Sequence, residues 1–230
     1  MWSLFATPME NEWGEIQYIP TTFGYVCIVI AILLCMALAL YWGRRKTGRK
    51  ITTQQIAFSA AAMALGLVLS NFKLFKMPMG GSITLCSMLF LTLIGYWYGL
   101  KAGIMSGVAY GMLQLIIDPY VLSIPQMLCD YPLAFGALGL SGLFCDKRHG
   151  LLKGYIAGVL GRFVFSFLSG YVFFYYYAPE GMNPALYSLG YNGGYLGAEA
   201  LVTLAVIAIP AVAKALMQVK SMALADSSGR

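Results

Sequence analysis

Residues 124–144, IPQMLCDYPLAFGALGLSGLF, form an apolar stretch long enough to cross a bilayer, and they contain one carboxylate, Asp130. A second apolar stretch, Leu151 to Tyr177, contains the guanidinium of Arg162. A charge in the hydrocarbon core costs ~2.5–3.5 kcal/mol on insertion scales, so each should face a partner or a watery cavity rather than lipid. Asp130 and Arg162 are therefore candidate functional residues.

The composition is that of an integral membrane protein. Hydrophobic residues make up 60% of the chain, charged residues 10%, and the mean hydropathy is +0.73. A length of 230 residues accommodates six or seven spans of ~20 residues and leaves no room for a separate soluble domain. The five cysteines are scattered without a CxxC pair, which predicts neither a disulfide nor a metal site.

The net charge of +6 comes from the turns between the apolar stretches, which argues against nucleic-acid binding. By the positive-inside rule these basic turns mark the cytoplasmic face. The segment before Phe23 contains three glutamates and no Lys or Arg, which places the N-terminus outside. Lys73 and Lys76 fall in a predicted outer loop and are the exceptions. The basic residues of the inner turns and tail include Arg44, Arg45, Lys46, Arg49, Lys50, Lys147, Arg148, Lys153, Lys214 and Lys220.

The hydropathy pattern predicts an all-α membrane bundle, because its apolar runs are too long for barrel strands. The first run begins some twenty residues in and ends in a basic stop-transfer pattern, so we interpret it as an anchor rather than a signal peptide. With the N-terminus outside, the C-terminus is cytoplasmic. The seven candidate spans are Phe23–Trp42, Thr53–Asn71, Ile83–Tyr98, Ala102–Ile117, Ile124–Phe144, Leu151–Tyr177 and Gly194–Leu216.

The second span carries small residues at four-residue spacing, as Ala57/Ala61 and Ala60/Ala64. Such stripes let helix backbones approach closely in lipid. Two interpretations are open, namely packing inside this bundle and docking of a partner membrane protein.

Aromatic and polar residues are dense at the predicted outer ends of the last three spans. Tyrosines at a bilayer face are ordinarily interfacial anchors, but Asp130 and Asn192 do not fit that explanation. An aromatic wall with one carboxylate suits an organic cation or a nitrogen heterocycle. The alternative for Asp130 is a buried ion pair with Arg162. The residues concerned are Gln126, Asp130, Tyr131, Phe174–Tyr177, Tyr187, Ser188, Tyr191, Asn192, Tyr195 and Glu199.

Three stretches of the sequence resemble one protein family. They are SFLSGYVFFYYYAPEGMNPALYSLGYNGGYLGAE at residues 166–199, Asp130-Tyr131-Pro132 in its apolar stretch, and GGSITL at residues 80–85. The chain is similar there to the thiamine-specific substrate-binding components of energy-coupling factor transporters, over about Thr53 to Leu216.

The resemblance implies a six-helix substrate-binding bundle, here with one additional N-terminal transmembrane helix. Such a protein binds thiamine near the outer face with high affinity, performs no chemistry and needs no cofactor. It assembles in the cell membrane with a transmembrane coupling protein and two ATPase subunits, and no GxxxxGK[ST] motif occurs in this chain. The expected division is an extracellular segment, extra helix and basic linker at 1–50, the binding domain at 51–220 and a tail at 221–230.

The resemblance also implies roles for individual residues. Asp130 would pair with the thiazolium or the aminopyrimidine, and Arg162 would meet the hydroxyethyl end or a phosphate, or neutralise Asp130. Ser166 stands where the family commonly has a histidine, and Phe174 where some members have a tryptophan, so thiamine, its phosphates and a precursor remain open as ligands. Expected stacking or hydroxyl contacts come from Tyr131, Phe174 and Tyr187, hydrogen bonds to the pyrimidine from Ser188 and Asn192, and partner docking from Ala57 and Ala61.

Two other classes of function remain as alternatives. A membrane enzyme has little support, since the only histidine is His149 in a basic turn and no HExxH or GxSxG motif is present. A self-contained secondary transporter for a thiamine precursor or a related cationic heterocycle would often show an internal repeat, and none is evident.

Overall fold

The structure, a computed structural model, describes residues 4–10, 16–27, 30, 52–77, 80–179 and 181–225. Strands β1 (Ala6–Glu10) and β2 (Ile16–Pro20) form an antiparallel hairpin ahead of the helical bundle. The predicted extra span, Phe23–Trp42, lies mostly outside the described residues, although residues 22–27 are helical.

Seven further helices follow in the described residues. Helix α4 changes its winding along its length, with a π-helical turn at Cys129–Leu133 and a 3-10 segment at Leu138–Phe144. A second hairpin, β3 (Lys73–Lys76) with β4 (Ser82–Thr84), connects the first two helices. The helices are α1 (Thr53–Asn71), α2 (Ser87–Tyr98), α3 (Leu100–Ile117), α4 (Ile124–Phe144), α5 (Gly150–Phe173), α6 (Pro184–Ala208) and α7 (Pro210–Leu224).

The prediction of an all-helical membrane bundle is confirmed. Helices α1, α3, α4 and α5 are each long and apolar enough to cross a membrane, and α6 with α7 qualifies as one bent span. The predicted span Ile83–Tyr98 is wrong as a full crossing, because its first residues belong to β4. The remaining helix α2 has 12 residues, or ~18 Å, against a hydrocarbon core of ~30 Å.

The predicted ends of the last span, Gly194–Leu216, are wrong, and prolines mark the ends that the structure shows. Helix α6 begins ten residues earlier, at Pro184, where the Asn183 side chain accepts a hydrogen bond from the backbone of the first turn. The helix then breaks at Ile209, which is extended because it precedes Pro210, and α7 leaves at 86° to α6. The preceding span also ends early, at Phe173, and a separate 3-10 turn covers Tyr175–Tyr177.

A glycine face on α3 brings that helix unusually close to α4. Gly103, Gly107 and Gly111 recur every four residues and so share one side of the helix. A Cβ atom added at Gly107 would lie 2.9 Å from Gly136 Cα, and one at Gly111 would lie 2.6 Å from the carbonyl carbon of Tyr131. The two backbones therefore touch along the length of the pair, as small-residue stripes allow in membranes.

We expect Gly107→Ala to destabilise the protein by ~1–3 kcal/mol, since its methyl group would overlap backbone atoms of α4. Gly194→Ala is the matched control, because nothing lies within 4 Å of a Cβ there and the exchange should be neutral or slightly stabilising. Thermal unfolding of both variants in detergent measures the difference. Equal unfolding midpoints would show that the helix contact is less close than described.

Candidate functional site

A cavity opens at the end of the bundle where α3 and α5 finish and α4 and α6 begin. It contains about 1100 Å³ of empty space, including its open mouth. The structure brings all eight predicted site residues to its wall, although their contact with a ligand stays a prediction. These residues are Asp130, Tyr131, Arg162, Ser166, Phe174, Tyr187, Ser188 and Asn192.

Asp130 lies in the π-helical turn Cys129–Leu133 of α4. Pro132 sits inside this turn and has no N–H to donate, so the regular helical hydrogen-bond ladder is interrupted there. Single π-helical turns inside α-helices occur frequently at functional sites. The turn presents the carboxylate to the cavity from within an otherwise apolar helix.

Gln126 orients the Asp130 carboxylate. Its side chain is 1% exposed, and its Nε2 donates to Asp130 Oδ2 at 2.6 Å and to the carbonyl of Tyr120 at 3.1 Å. Its Oε1 accepts from the backbone N–H of Leu122 at 2.9 Å, so the amide is held from both ends. The buried hydroxyl of Ser169 is a second donor that faces this carboxylate, and the carboxylate itself lines the cavity.

Arg162 does not form the buried ion pair with Asp130 that was the alternative prediction. Among the described residues the ion pair within 4.0 Å is Lys73–Asp118, at the mouth of the cavity. The guanidinium lies over the ring of Phe135, with Cζ 4.2 Å from its centroid. Its buried Nε has no hydrogen-bond partner in the described part of the chain. Arg162 is nonetheless a basic residue of the cavity wall.

Two serines extend the Arg162 side of α5 toward the mouth. Ser166 and Ser169 follow at four and seven residues, so all three share one helical face. Ser169 is fully buried, and its hydroxyl faces the Asp130 carboxylate. The sequence analysis missed Ser169, although its spacing from Arg162 is a sufficient signal.

The Tyr131 hydroxyl binds the loop between α3 and α4 rather than pointing into the cavity. The hydroxyl donates to the carbonyl of Asp118 at 2.8 Å and accepts from the N–H of Tyr120 at 2.7 Å. The loop in turn holds the ring of Tyr120 stacked on Phe174, with centroids 6.0 Å apart and planes 21° apart. Tyr120 was not predicted from the sequence, although an aromatic residue after Asp118-Pro119 in a predicted outer loop was an available signal.

Ser188 and Asn192 are fixed against α5. Ser188 Oγ donates to the carbonyl of Phe167 at 2.8 Å, and Asn192 Nδ2 donates to the carbonyl and hydroxyl oxygens of Ser188 at 3.0 and 3.2 Å. Gly170 permits this approach, because a Cβ there would lie 2.8 Å from Asn192 Nδ2. Asn192 Oδ1 is left without a partner within the described ranges and can accept from a ligand.

A tyrosine ladder continues along the same helix. The rings of Tyr187 and Tyr191 are stacked with centroids 6.2 Å apart, and Tyr195 meets Tyr191 edge-on at 5.7 Å. The Tyr191 hydroxyl accepts from the N–H of Gly81 at 3.1 Å, which joins the ladder to the β3–β4 hairpin. The α6 wall of the cavity is therefore aromatic and already ordered.

The small-residue face of α1 points away from the bundle. Ala57, Ala60, Ala61 and Ala64 are all exposed, while α1 buries Ala62 and Gly66 against its neighbours. This arrangement argues against packing inside the described bundle as the reason for the alanine spacing. Docking of a partner on Ala57 and Ala61 remains a prediction.

These features define a class of protein: a multi-pass helical membrane protein with a polar and aromatic solute cavity at one end of its bundle. Comparison with known proteins narrows the class. Residues 56–219 match the family model for the thiamine transporter protein (Thia_YuaJ), and this chain belongs to that family.

Three individual proteins that are similar to this chain all carry the name ThiT. The chain is 36% identical over 152 residues to thiamine transporter ThiT of Bacillus subtilis, covering 60% of this chain and 78% of that protein. It is 32% identical over 128 residues to thiamine transporter ThiT of Lacticaseibacillus paracasei, covering 48% and 64%. The solved structure of ThiT from Listeria monocytogenes shares the fold, with a TM-score of 0.54 and 22% identity over 76% of this chain and 95% of that one. The resemblance noted in the sequence is therefore confirmed.

We expect Tyr131→Phe to lower the free energy of unfolding by ~1–3 kcal/mol, because the loop N–H and carbonyl would lose their common partner. Tyr175→Phe is the control, since Tyr175 is 59% exposed. Thermal unfolding measures stability, and hydrogen exchange at the Tyr120 amide should accelerate only in Tyr131→Phe. Unchanged exchange at that amide would contradict the proposed role of the hydroxyl.

Proposed function

We propose that this protein is the high-affinity thiamine-binding subunit of an energy-coupling factor type vitamin importer. Membership of the thiamine transporter family supports this function. The observation that carries it is the Asp130 carboxylate, which Gln126 holds on the wall of an aromatic cavity. Thiamine combines a permanently cationic thiazolium ring with an aminopyrimidine, and both groups suit such a site.

The formal charge of the cavity matches a monocation. Lys73 and Asp118 neutralise each other at the mouth. Among the other lining side chains, Asp130 and Glu199 are acidic and Arg162 is basic, which leaves a formal charge of −1. A ligand with one positive charge balances this sum, and burial makes an unbalanced charge costly.

The acceptors on the cavity wall suit the aminopyrimidine. The carboxylate of Asp130 and the amide oxygen of Asn192 can each accept a hydrogen bond from a ligand amino group. Ser188 serves mainly to position Asn192, because its own proton is donated to Phe167. The ring of Tyr187 offers an aromatic face for stacking or for a cation.

Arg162 suits the hydroxyethyl end of thiamine. Arg162 lines the cavity, and its guanidinium N–H groups can donate to a hydroxyl oxygen there. A phosphate would also accept from Arg162, but it would add negative charge beside Asp130. We therefore propose unphosphorylated thiamine as the preferred ligand.

Asp130→Asn tests the binding proposal. The exchange keeps the shape of the side chain but removes its charge, so thiamine affinity should fall ~10–100-fold. Asp146→Asn, an exposed exchange in the turn at the opposite end of the bundle, is the matched control and should bind like the native protein. Isothermal titration of each purified protein with thiamine measures the difference. Native affinity in Asp130→Asn would remove this carboxylate from the site.

Uptake requires further subunits in this proposal. A transmembrane coupling protein would dock on Ala57 and Ala61, and two ATPase subunits would supply the energy, so this subunit needs no cofactor and performs no catalysis. Among the described residues, the basic turns with Lys101, Lys147 and Arg148 lie at the end of the bundle away from the cavity, which supports a cavity on the outer face, an external N-terminus and a cytoplasmic C-terminus.

Ala61→Trp tests the docking face. A bulky ring there should prevent close helix approach, so thiamine uptake by cells should be lost while thiamine binding by the purified subunit is kept. Ala205→Trp, an exposed exchange on α6, is the control and should preserve both activities. Full uptake by Ala61→Trp would exclude this face as the docking site.

A further inference from the structure

Glu199 is a buried carboxylate that contributes to the formal charge of the cavity but has no place among the proposed hydrogen bonds to the ligand. It lies on α6 one turn beyond Tyr195, is 2% exposed, and accepts four hydrogen bonds from one short segment of chain. Its Oε2 accepts from Thr84 Oγ1 at 2.7 Å and Thr84 N at 3.3 Å. Its Oε1 accepts from Ser87 Oγ at 3.0 Å and Met88 N at 3.3 Å.

These bonds supply a helix cap that α2 does not provide for itself. The N-cap residue of α2 is Cys86, which has a left-handed backbone (φ 56°) and makes no capping side-chain bond. The first N–H groups of a helix have no partner within the helix and need an external acceptor. Glu199 is that acceptor for Met88, in the first turn, from a different helix.

The same carboxylate fixes the hairpin that walls the cavity. Thr84 ends β4, and the hairpin residues Gly81, Ser82 and Thr84 all line the cavity. A second bond, from Gly81 N to the hydroxyl of Tyr191, joins the hairpin to α6 two turns before Glu199. The wall formed by residues 80–88 is thus attached to α6 at two points.

We propose that Glu199 is a positioning residue that controls how long the solute is retained. It holds β4 and the start of α2 against α6, the helix that carries Asn192, and so keeps the cavity wall in place around a bound solute. This inference rests on the proposed binding of thiamine in the cavity. It assigns Glu199 an effect on dissociation without any contact with the ligand.

Glu199→Gln is the direct test. The exchange conserves shape but turns an acceptor oxygen into an NH₂ group that faces N–H and O–H donors, so at least one donor loses its partner. Ser87→Ala is a milder second variant that removes one donor. Thr203→Val is the matched control, because Thr203 is equally buried and donates to the Glu199 backbone carbonyl at 2.9 Å rather than to the carboxylate or to residues 80–88.

Stopped-flow binding of thiamine to the purified full chain measures the association rate and the dissociation rate separately. We expect the dissociation rate to rise about tenfold in Glu199→Gln and less in Ser87→Ala, with association rates within about twofold of native. Thr203→Val should match the native protein in both rates.

Cysteine labelling supplies a readout that does not depend on the ligand. Cys86 is buried beside the bonded segment. With the other four cysteines replaced by serine, a small maleimide should modify Cys86 faster in Glu199→Gln than in the Thr203→Val control, while thermal unfolding verifies that both variants are folded at the assay temperature.

The outcomes distinguish this inference from the binding proposal. If native protein binds thiamine but Glu199→Gln and Ser87→Ala keep native dissociation rates and Cys86 labelling, the positioning role is overturned and the proposed function stands. If the native chain does not bind thiamine, both fail.

Discussion

The hydrogen bond from Gln126 to Asp130 is the interaction on which the cavity depends. A carboxylate inside an apolar bundle is costly unless it is solvated or hydrogen-bonded. Gln126 satisfies one oxygen at 2.6 Å and is itself fixed by backbone groups at Tyr120 and Leu122. These bonds fix the carboxylate on the cavity wall before a ligand arrives. Such pre-organisation reduces the free-energy cost of binding.

Close backbone contacts between the surrounding helices position the other residues of the site. The glycine face of α3 meets α4 beside Tyr131, and Gly170 of α5 meets Ser188 and Asn192 of α6. Because these contacts leave no room for a Cβ, they fix the relative positions of the helices that carry the site. The cavity therefore lies between rigid helices, and the segment 80–88 closes it from the side through bonds to Tyr191 and Glu199.

The sequence predicted the membrane bundle from its long apolar runs. It predicted eight residues of the cavity wall from polar and aromatic residues in those runs and from the family resemblance, but not Tyr120 or Ser169. The helix break at Ile209 was not predicted, although Pro210 is a local signal for it. The start of α6 at Pro184, earlier than expected, was not predicted either. The hydrogen-bond partners could not be predicted from the sequence, because they depend on which helices contact each other. Arg162 lies over Phe135 rather than pairing with Asp130, and Glu199 binds a segment more than a hundred residues away.

The most direct measurement is a double-mutant cycle between Asp130 and the amino group of the ligand. Native protein and Asp130→Asn are each titrated with thiamine and with an analogue that carries a carbonyl oxygen in place of that amino group. The account predicts that native protein binds the analogue at least ~10-fold more weakly and that most of this difference disappears in Asp130→Asn. An equal loss in both proteins, or no loss in the native one, would contradict it.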